Sequence, residues 1–155
     1  MLSDYVFGIE KLTDTIADTD RLWREQFAQM NERLSAAGVK TYPYNPNYKG
    51  YLASNDAGIL IYYTARRHGK LVGHSTIYLF NSMHDQTLMA REDTIFVTAE
   101  HRKGVGRLLT KFILQDLKSR GVTRGIVQVI TDLRVEKLWN RMGFKTTGVT
   151  MQIDF

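Results

Sequence analysis

Three cations and two glycines stand together where a predicted strand meets a predicted helix, in the segment His101–Arg107 (HRKGVGR). Gly104 and Gly106 have no Cβ, so backbone amides at these positions can approach a ligand closely. The free amides at a helix N-terminus, together with the helix dipole, bind anions. The spacing therefore predicts a pyrophosphate-binding turn. The alternative is a tight strand-to-helix turn whose cations are only solvated.

Other phosphate-binding and metal-binding motifs do not fit this sequence. No GxxxxGK[ST] occurs, which excludes a P-loop, and Leu109 stands at the third glycine of GxGxxG, which excludes the dinucleotide fingerprint. The chain has no cysteine, so it offers no thiolate nucleophile, no disulfide and no Cys-type zinc site. No His, Asp and Glu residues have the spacing of metal ligands, and we expect no metal.

The elements that must position the loop follow from hydrophobic periodicity. Residues 42–55 are rich in Tyr, Asn, Pro and Gly and are predicted to form a loop with one helical turn at most. The pattern is β-α-β-β-β-α-β-α-β, which predicts an α/β (α+β) mixed sheet with helices on its faces, in one domain over residues 1–155. The predicted strands are Tyr5–Leu12, Ile59–Arg66, Leu71–Phe80, Leu88–Val97, Gly125–Ile130 and a last strand or hairpin over Lys145–Phe155; the predicted helices end at Gly38, Gly121 and Gly143.

The charge is placed unevenly along the chain. Residues 1–100 carry 10 Lys/Arg against 12 Asp/Glu, whereas residues 101–155 carry 11 against 4. A basic C-terminal third suits nucleic acid, an acidic partner or a phosphate-rich small molecule. No apolar run is long enough for a membrane span, and the N-terminus lacks the pattern of a signal peptide. We therefore expect no membrane partner and a cytoplasmic location.

The same loop resembles the acyl-CoA-binding motif of the GNAT superfamily of N-acetyltransferases, written [Q/R]-x-x-G-x-[G/A] after a strand that ends in an apolar residue. The motif aligns on the six residues His101–Gly106. The segment Asp132–Phe144 is similar to the superfamily's N-x-x-A-x-x-L-Y-x-x-x-G-F helix and following strand. The resemblance covers residues 58–146 and extends to small standalone GNAT proteins from bacteria and their phages.

The resemblance implies a mostly antiparallel sheet that splays between its fourth and fifth strands, with the pantetheine of acetyl-CoA in the gap. An amine would attack the acetyl thioester directly, and no covalent enzyme intermediate is needed, in agreement with the lack of cysteine. Backbone groups near Phe96 and Val97 would pair with pantetheine as an extra strand would. The cofactor-binding residues that the resemblance implies are Phe96, Val97, Arg102, Lys103, Gly104, Val105, Gly106, Arg107 and Asp132.

Three residues depart from the family pattern. His101 stands where Arg or Gln is usual, and we favour Arg102 for that role because its guanidinium is always charged and forms paired hydrogen bonds to phosphate. Trp139 replaces the Tyr that often protonates the departing thiolate, so another group or solvent must do so. Asp132 replaces an Asn, which leaves one pantetheine contact open.

Glu92 is the predicted catalytic residue, because the incoming amine must lose a proton before or during attack. Glu92 and Asp93 lie on the strand leading to the loop, near where many family members keep an acid. Alternation puts Glu92 on the same face as Thr94 and Phe96, and Asp93 on the other. The alternative is that Glu92 forms a surface ion pair with Arg91 or another neighbour.

Histidines and tyrosines elsewhere have weaker signals. His74 lies in mid-strand and is expected to be structural, whereas His84 and Asp85 lie in a loop that would border the acceptor site. A group of tyrosines around two prolines is expected to cover the core, with a lining of the acceptor entrance as the alternative. These tyrosines are Tyr42, Tyr44, Tyr48 and Tyr51.

The predicted function is transfer of the acetyl group of acetyl-CoA to a primary amine, on a small molecule or on a protein Lys or N-terminus. Two alternatives stay open: an acyl-CoA-binding GNAT that acts through a protein partner without catalysis, and a basic nucleic-acid-binding protein. The second is disfavoured because the cations cluster around a Gly-containing helix start, without the interleaved aromatics of an RNA-binding sheet. Homodimers are frequent in the family, and the fold does not fix the acceptor.

Overall fold

The computed structural model describes residues 1–129 and 133–155. Within them five strands form one sheet in the order β1-β2-β3-β4-β5, antiparallel except for the parallel pair β4 and β5. The strands are β1 (Tyr5–Ile9), β2 (Leu60–Arg67), β3 (Lys70–Asn81), β4 (Leu88–Val97) and β5 (Arg124–Ile126), and the α-helices are α1 (Leu12–Ala36), α2 (Tyr48–Asp56), α3 (Val105–Ser119) and α4 (Leu133–Arg141). The predicted mixed α/β fold is confirmed.

Alternation along the central strands divides the core between the two faces of the sheet. On one face, Tyr63 and its neighbours two residues away on β2 pack with the apolar stripe of α3. On the other face, Tyr62 packs with Leu12 and Trp23 of α1 and with side chains of α2. Both faces of β2 are buried, as its continuous apolar and aromatic run predicts.

Helix α3 carries the loop that the sequence singles out. Its side chains at intervals of four, from Val105 through Leu109 and Ile113 to Leu117, are buried against the sheet. Burial of such aliphatic side chains stabilises the fold by about 1.5–3 kcal/mol each. The start of α3 is therefore held rigidly at the end of β4.

Three predicted elements differ from the structure near the site. The first strand ends at Ile9 because the N–H of Leu12 already begins α1 and donates to Asn55 Oδ1, at 2.8 Å. Residues 48–56 form α2 in place of the predicted loop, since the Asn47 side chain accepts a hydrogen bond from Gly50 N and caps the helix. The fifth strand is Arg124–Ile126 and not Gly125–Ile130, because β4 pairs with it over three residues only; Ile130 lies outside the described residues.

The predicted last strand over Lys145–Phe155 is wrong: these residues have no strand structure. Val149, Met151, Ile153 and Phe155 alternate with polar residues as in a half-buried strand, yet all four are exposed. A strand needs a partner, and β5 has only three residues to offer as an edge. None of the helices in the two described ranges is long and apolar enough to cross a membrane.

Candidate active site

The candidate site lies where β4 and β5 separate, and the predicted splay between these two strands is confirmed. Pairing is limited to three residues on each strand: Met89–Arg91 of β4 pair with Arg124–Ile126 of β5. Beyond that point β4 continues to Val97, and the chain after β5 contacts it through a side chain, with Gln128 N donating to Glu92 Oε2 at 3.3 Å. The backbone of the outer half of β4 is thereby left open toward a cleft.

A cavity of about 920 Å³ fills this cleft. Its walls come from α1, from the segment 43–47, from the outer half of β4 and from the start of α3 at Gly106. Gln128 and two residues of α4 close its far side. The volume is within the usual range for a ligand site, and the cavity joins the predicted phosphate-binding turn to the carboxylates of β4.

A β-bulge in β4 brings those carboxylates into one cavity. In the register with β3, Thr76 is opposite Thr94 but the next residue, Ile77, is opposite Glu92, so Asp93 is the extra residue. Asp93 Oδ2 accepts a hydrogen bond from Thr76 Oγ1 at 3.1 Å, and Thr94 Oγ1 lies 2.5 Å from the same hydroxyl. The expectation that Asp93 and Thr94 occupy opposite faces is wrong, because the bulge interrupts the alternation.

Glu92 is half-buried at the point of the splay and lines the cavity. Burial raises the pKa of Glu92 to about 7; the hydrogen bond from Gln128 N opposes this effect, and the charge of Asp93 adds to it. Within residues 1–129 and 133–155, Glu92 forms no ion pair with Arg91 or with another cation. A carboxyl with a pKa near neutral pH can take up and release a proton under working conditions.

Asp93 is held by hydroxyl groups. Besides Thr76, Tyr51 Oη of α2 donates to Asp93 Oδ2 at 2.7 Å. Burial, followed by the charge of Asp93, raises the pKa of Tyr51 far above its ordinary value, so the phenol remains a donor. The ring of Tyr51 packs on Trp23, with 4.8 Å between centroids.

The predicted phosphate-binding turn has the backbone geometry of an anion site. Gly104 is the N-cap residue of α3 and has a φ of +91°, a backbone conformation that is unfavourable for a residue with a side chain. The first amide bonded within the helix is Leu108 N, which donates to Gly104 O at 3.1 Å, so the amides of residues 105–107 precede the hydrogen-bonded part of α3. The side chains of Lys103 and Arg107 are exposed beside these amides.

Arg102, the favoured phosphate ligand, spans the cleft. Its Nε donates to Val97 O at 2.9 Å, its Nη2 donates to Gln29 Oε1 of α1 at 2.6 Å, and its guanidinium lies over the ring of Phe96. His101 points elsewhere, with Nδ1 at 2.8 Å from Tyr5 Oη. Of the two residues weighed at this position, Arg102 is the one that lines the cavity.

Trp139 and His74 do not line the large cavity. Asp132 is outside the described residues. Trp139 is buried against Phe144 and lines a second cavity of about 30 Å³, which Glu92 also lines. His74 is fully buried, and burial lowers its pKa to about 3, as suits a structural residue. His84 does not line the large cavity.

Aromatic side chains of α1 and of the tyrosine-rich segment line one part of the cavity and form an aromatic wall of Trp23, Phe27, Tyr44 and Tyr51. The sequence pattern favours a core role for most of these residues. Tyr44 lines the cavity, packs on Phe27 with 5.2 Å between centroids, and donates to Asp20 Oδ1 at 2.6 Å. Tyr48 donates to the same oxygen, and Arg24 Nε donates to Asp20 Oδ2 at 2.7 Å. Desolvation opposes these bonds, but together they keep the pKa of Asp20 below its usual value. The segment before α2 is thereby fixed against α1.

Metal ligands are not brought together in the described part of the chain, where no three His, Asp or Glu residues could hold an ion. A model of the acetyltransferase (GNAT) family matches residues 19–144. No curated protein sequence matches the chain.

The chain is similar to solved acetyltransferase structures at low identity. A ribosomal-protein-alanine N-acetyltransferase from Brucella melitensis biovar Abortus 2308 has a TM-score of 0.72 at 16% identity, covering 97% of this chain and 99% of that one. An aminoglycoside acetyltransferase from an uncultured soil metagenomic sample has 0.70 at 15%, covering 99% and 97%. A glucosamine-6-phosphate N-acetyltransferase from Arabidopsis thaliana has 0.67 at 15%, covering 97% and 99%. Their acceptors differ, so the likeness shows the fold alone.

Proposed function

The chain belongs to the GNAT acetyltransferase family, and from this we propose that it transfers the acetyl group of acetyl-CoA to a primary amine. The observation that carries the proposal is the single cavity that runs from the free amides of α3 to two carboxylates at the splay of β4 and β5. One end suits phosphates and the other suits an amine. Between the two ends the cavity is lined by the part of β4 that does not pair with β5.

The residues present fit acetyl-CoA. The amides of residues 105–107 and the exposed Lys103 and Arg107 suit a pyrophosphate, and Gly106 lies on the cavity with no side chain in the way. The backbone of Phe96 and Val97 stands on the unpaired edge of β4, where it suits the amides of pantetheine. The proposed cofactor-binding residues are Phe96, Val97, Arg102, Lys103, Gly104, Val105, Gly106 and Arg107; Asp132 stays a prediction from the sequence.

Glu92 is the proposed general base. Acetyl-CoA supplies the activated acetyl group, and this chain has to position the amine and remove its proton. With a pKa near 7, the carboxylate of Glu92 accepts a proton from the ammonium and so frees the nitrogen lone pair. Overall an N–C bond forms and a C–S bond breaks, and an ammonium and the thioester give an amide, coenzyme A thiol and one proton.

Titration calorimetry of acetyl-CoA into the purified protein tests the cofactor site. The informative variant is Gly106→Glu. Gly106 has the backbone conformation of an ordinary helical residue, and the nearest atom to an added Cβ is Val97 Cγ2 at 4.0 Å, so the protein should tolerate the side chain. The added carboxylate should then repel the phosphates of the ligand. Gly148→Glu adds the same charge at a position with no atom within 4 Å and serves as the matched control.

We expect micromolar binding by the wild type and by Gly148→Glu, and loss of binding by Gly106→Glu. A folded wild type that does not bind acetyl-CoA would refute the proposal, and the basic C-terminal third should then be tested on nucleic acid. Binding without release of thiol in the presence of any amine would instead support the acyl-CoA-binding alternative. The cytoplasmic location and a homodimer stay predictions.

A further inference from the structure

The large cavity is polarised along its length. Glu92 and Asp93 stand at one end, on β4, whereas the other end carries Arg102, which follows β4 and binds Gln29 of α1. A cation at the latter end suits the phosphates of the cofactor. A positively charged amine is therefore attracted to the carboxylate end, and an acceptor carrying a phosphate is repelled from it.

Asp93 is built to hold a cation. Its hydrogen bonds come from two neutral hydroxyls, Tyr51 Oη at 2.7 Å and Thr76 Oγ1 at 3.1 Å, and both go to Oδ2. In the described ranges no Lys or Arg pairs with Asp93, although its side chain is exposed to the cavity. The carboxylate is thus oriented while its charge is left for a ligand.

Aromatic rings stand directly beside this carboxylate. Tyr51 belongs to both features, since its hydroxyl binds Asp93 and its ring lies 4.8 Å from that of Trp23. Phe27 follows Trp23 on the same face of α1 and packs on Tyr44, which the bonds to Asp20 hold in place. Tyr51 thus connects the carboxylate to the aromatic part of the cavity lining, on which the ring of a ligand can pack and to which a cation is also attracted.

We propose that the acceptor is an arylalkylamine, a primary amine joined by a short aliphatic linker to an aromatic ring. Asp93 binds its ammonium group beside Glu92, and the wall of Trp23, Phe27 and Tyr51 takes its ring. This inference rests on the proposed function, since it concerns the acceptor of the same site. It makes Asp93 a residue that determines specificity, whereas Glu92 removes the proton.

The test combines binding and turnover with phenethylamine, the simplest amine with a two-carbon linker to a benzene ring, as the probe. Binding is measured by saturation-transfer NMR without cofactor, and turnover by thiol release from acetyl-CoA, with n-butylamine, glucosamine 6-phosphate, kanamycin and an alanine-terminated peptide as competing acceptors. We expect phenethylamine to have the highest kcat/KM, by at least about tenfold, which corresponds to about 1.4 kcal/mol.

Two variants separate charge from ring stacking. Asp93→Asn keeps an oxygen for Tyr51 and Thr76 but removes the charge, and we expect the KM for every amine to rise about tenfold or more with an unchanged Kd for acetyl-CoA. Asp56→Asn, at the exposed end of α2, is the matched control. Phe27→Leu should raise the KM for phenethylamine by a larger factor than the KM for n-butylamine, which has no ring to stack.

The outcomes keep this inference and the proposed function apart. Rapid turnover of the sugar or peptide amines, without binding of phenethylamine, would overturn the arylalkylamine inference and leave the acetyltransferase standing. Binding of phenethylamine that Asp93→Asn abolishes, without any thiol release, would support the amine site and refute the transferase. An unchanged KM in Asp93→Asn would remove Asp93 from the acceptor site.

Discussion

Substitution Glu92→Gln should lower the activity of the protein while raising its stability at high pH. The two effects have one origin, the half-buried carboxyl at the splay whose pKa is raised from 4.5 to about 7. Because the folded state holds this proton more tightly than the unfolded state, stability decreases as pH rises from 4.5 to 7. At 1.36 kcal/mol per pKa unit, ionised Glu92 costs about 3 kcal/mol above pH 7. Gln carries no such penalty.

The rate should fall with the loss of the base. A positioned general base contributes about 10²–10⁴-fold, so we expect kcat/KM of Glu92→Gln to drop within this range. The wild-type profile of log kcat/KM against pH should bend near 7, and that bend should vanish in the variant. Thiol release between pH 5.5 and 9 gives the profile.

Urea unfolding from pH 5 to 8 gives the stability difference. Relative to the wild type, the free energy of unfolding of Glu92→Gln should increase by up to about 3 kcal/mol across this range. Glu32→Gln, at an exposed position on α1, is the control and should show no such increase. Equal pH dependence of stability in Glu92→Gln and wild type would refute the burial argument. A wild-type rate in Glu92→Gln would refute the catalytic role even if the stability gain is observed.

Two further predictions concern the buried histidine and the exposed cations of the turn. Burial lowers the pKa of His74 to about 3, so below pH 6.5 the unfolded state binds more protons than the folded state, and the free energy of unfolding of the wild type should fall by about 2 kcal/mol by pH 5. Urea titrations of His74→Phe should show a smaller decrease between pH 6.5 and 5. An equal decrease in wild type and variant would contradict this prediction. The double variant Lys103→Gln/Arg107→Gln should raise the Kd of acetyl-CoA by about tenfold at low salt and less at high salt, by calorimetry. Lys111→Gln/Lys118→Gln, farther along α3, should bind as the wild type does, and an equal effect in both pairs would mean that only net charge matters.

The helices and long strands can be predicted from the sequence because their periodicity is strong. The stripe of α3 from Val105 to Leu117 and the full extent of β4 follow from residue spacing alone. The predicted C-terminal strand is wrong for the opposite reason: Val149 to Phe155 has the alternation of a strand, but a pattern does not supply the partner that a strand needs.

The carboxylate pair shows the limit of alternation as a guide to a site. The resemblance to the family points to Glu92, whose catalytic role stays a proposal, and in the structure Glu92 lines the cavity at the splay. Alternation places Asp93 on the opposite face of β4 from Thr94, because no residue type near Thr94 predicts the β-bulge that the structure shows there. Trp23 is a core residue, as its helical spacing indicates, and both Trp23 and Phe27 also line the cavity, which the spacing alone does not show.

The bridge made by Arg102 has a consequence for how the binding of the two substrates is linked. Its Nε occupies Val97 O, an oxygen on the strand edge proposed for pantetheine, so arrival of the cofactor exchanges one hydrogen bond for another. The same movement releases Gln29 on α1, the helix that forms the wall of the amine end. We therefore expect the two ligands to be coupled, so that the Kd of phenethylamine measured with coenzyme A present differs from the Kd measured without it.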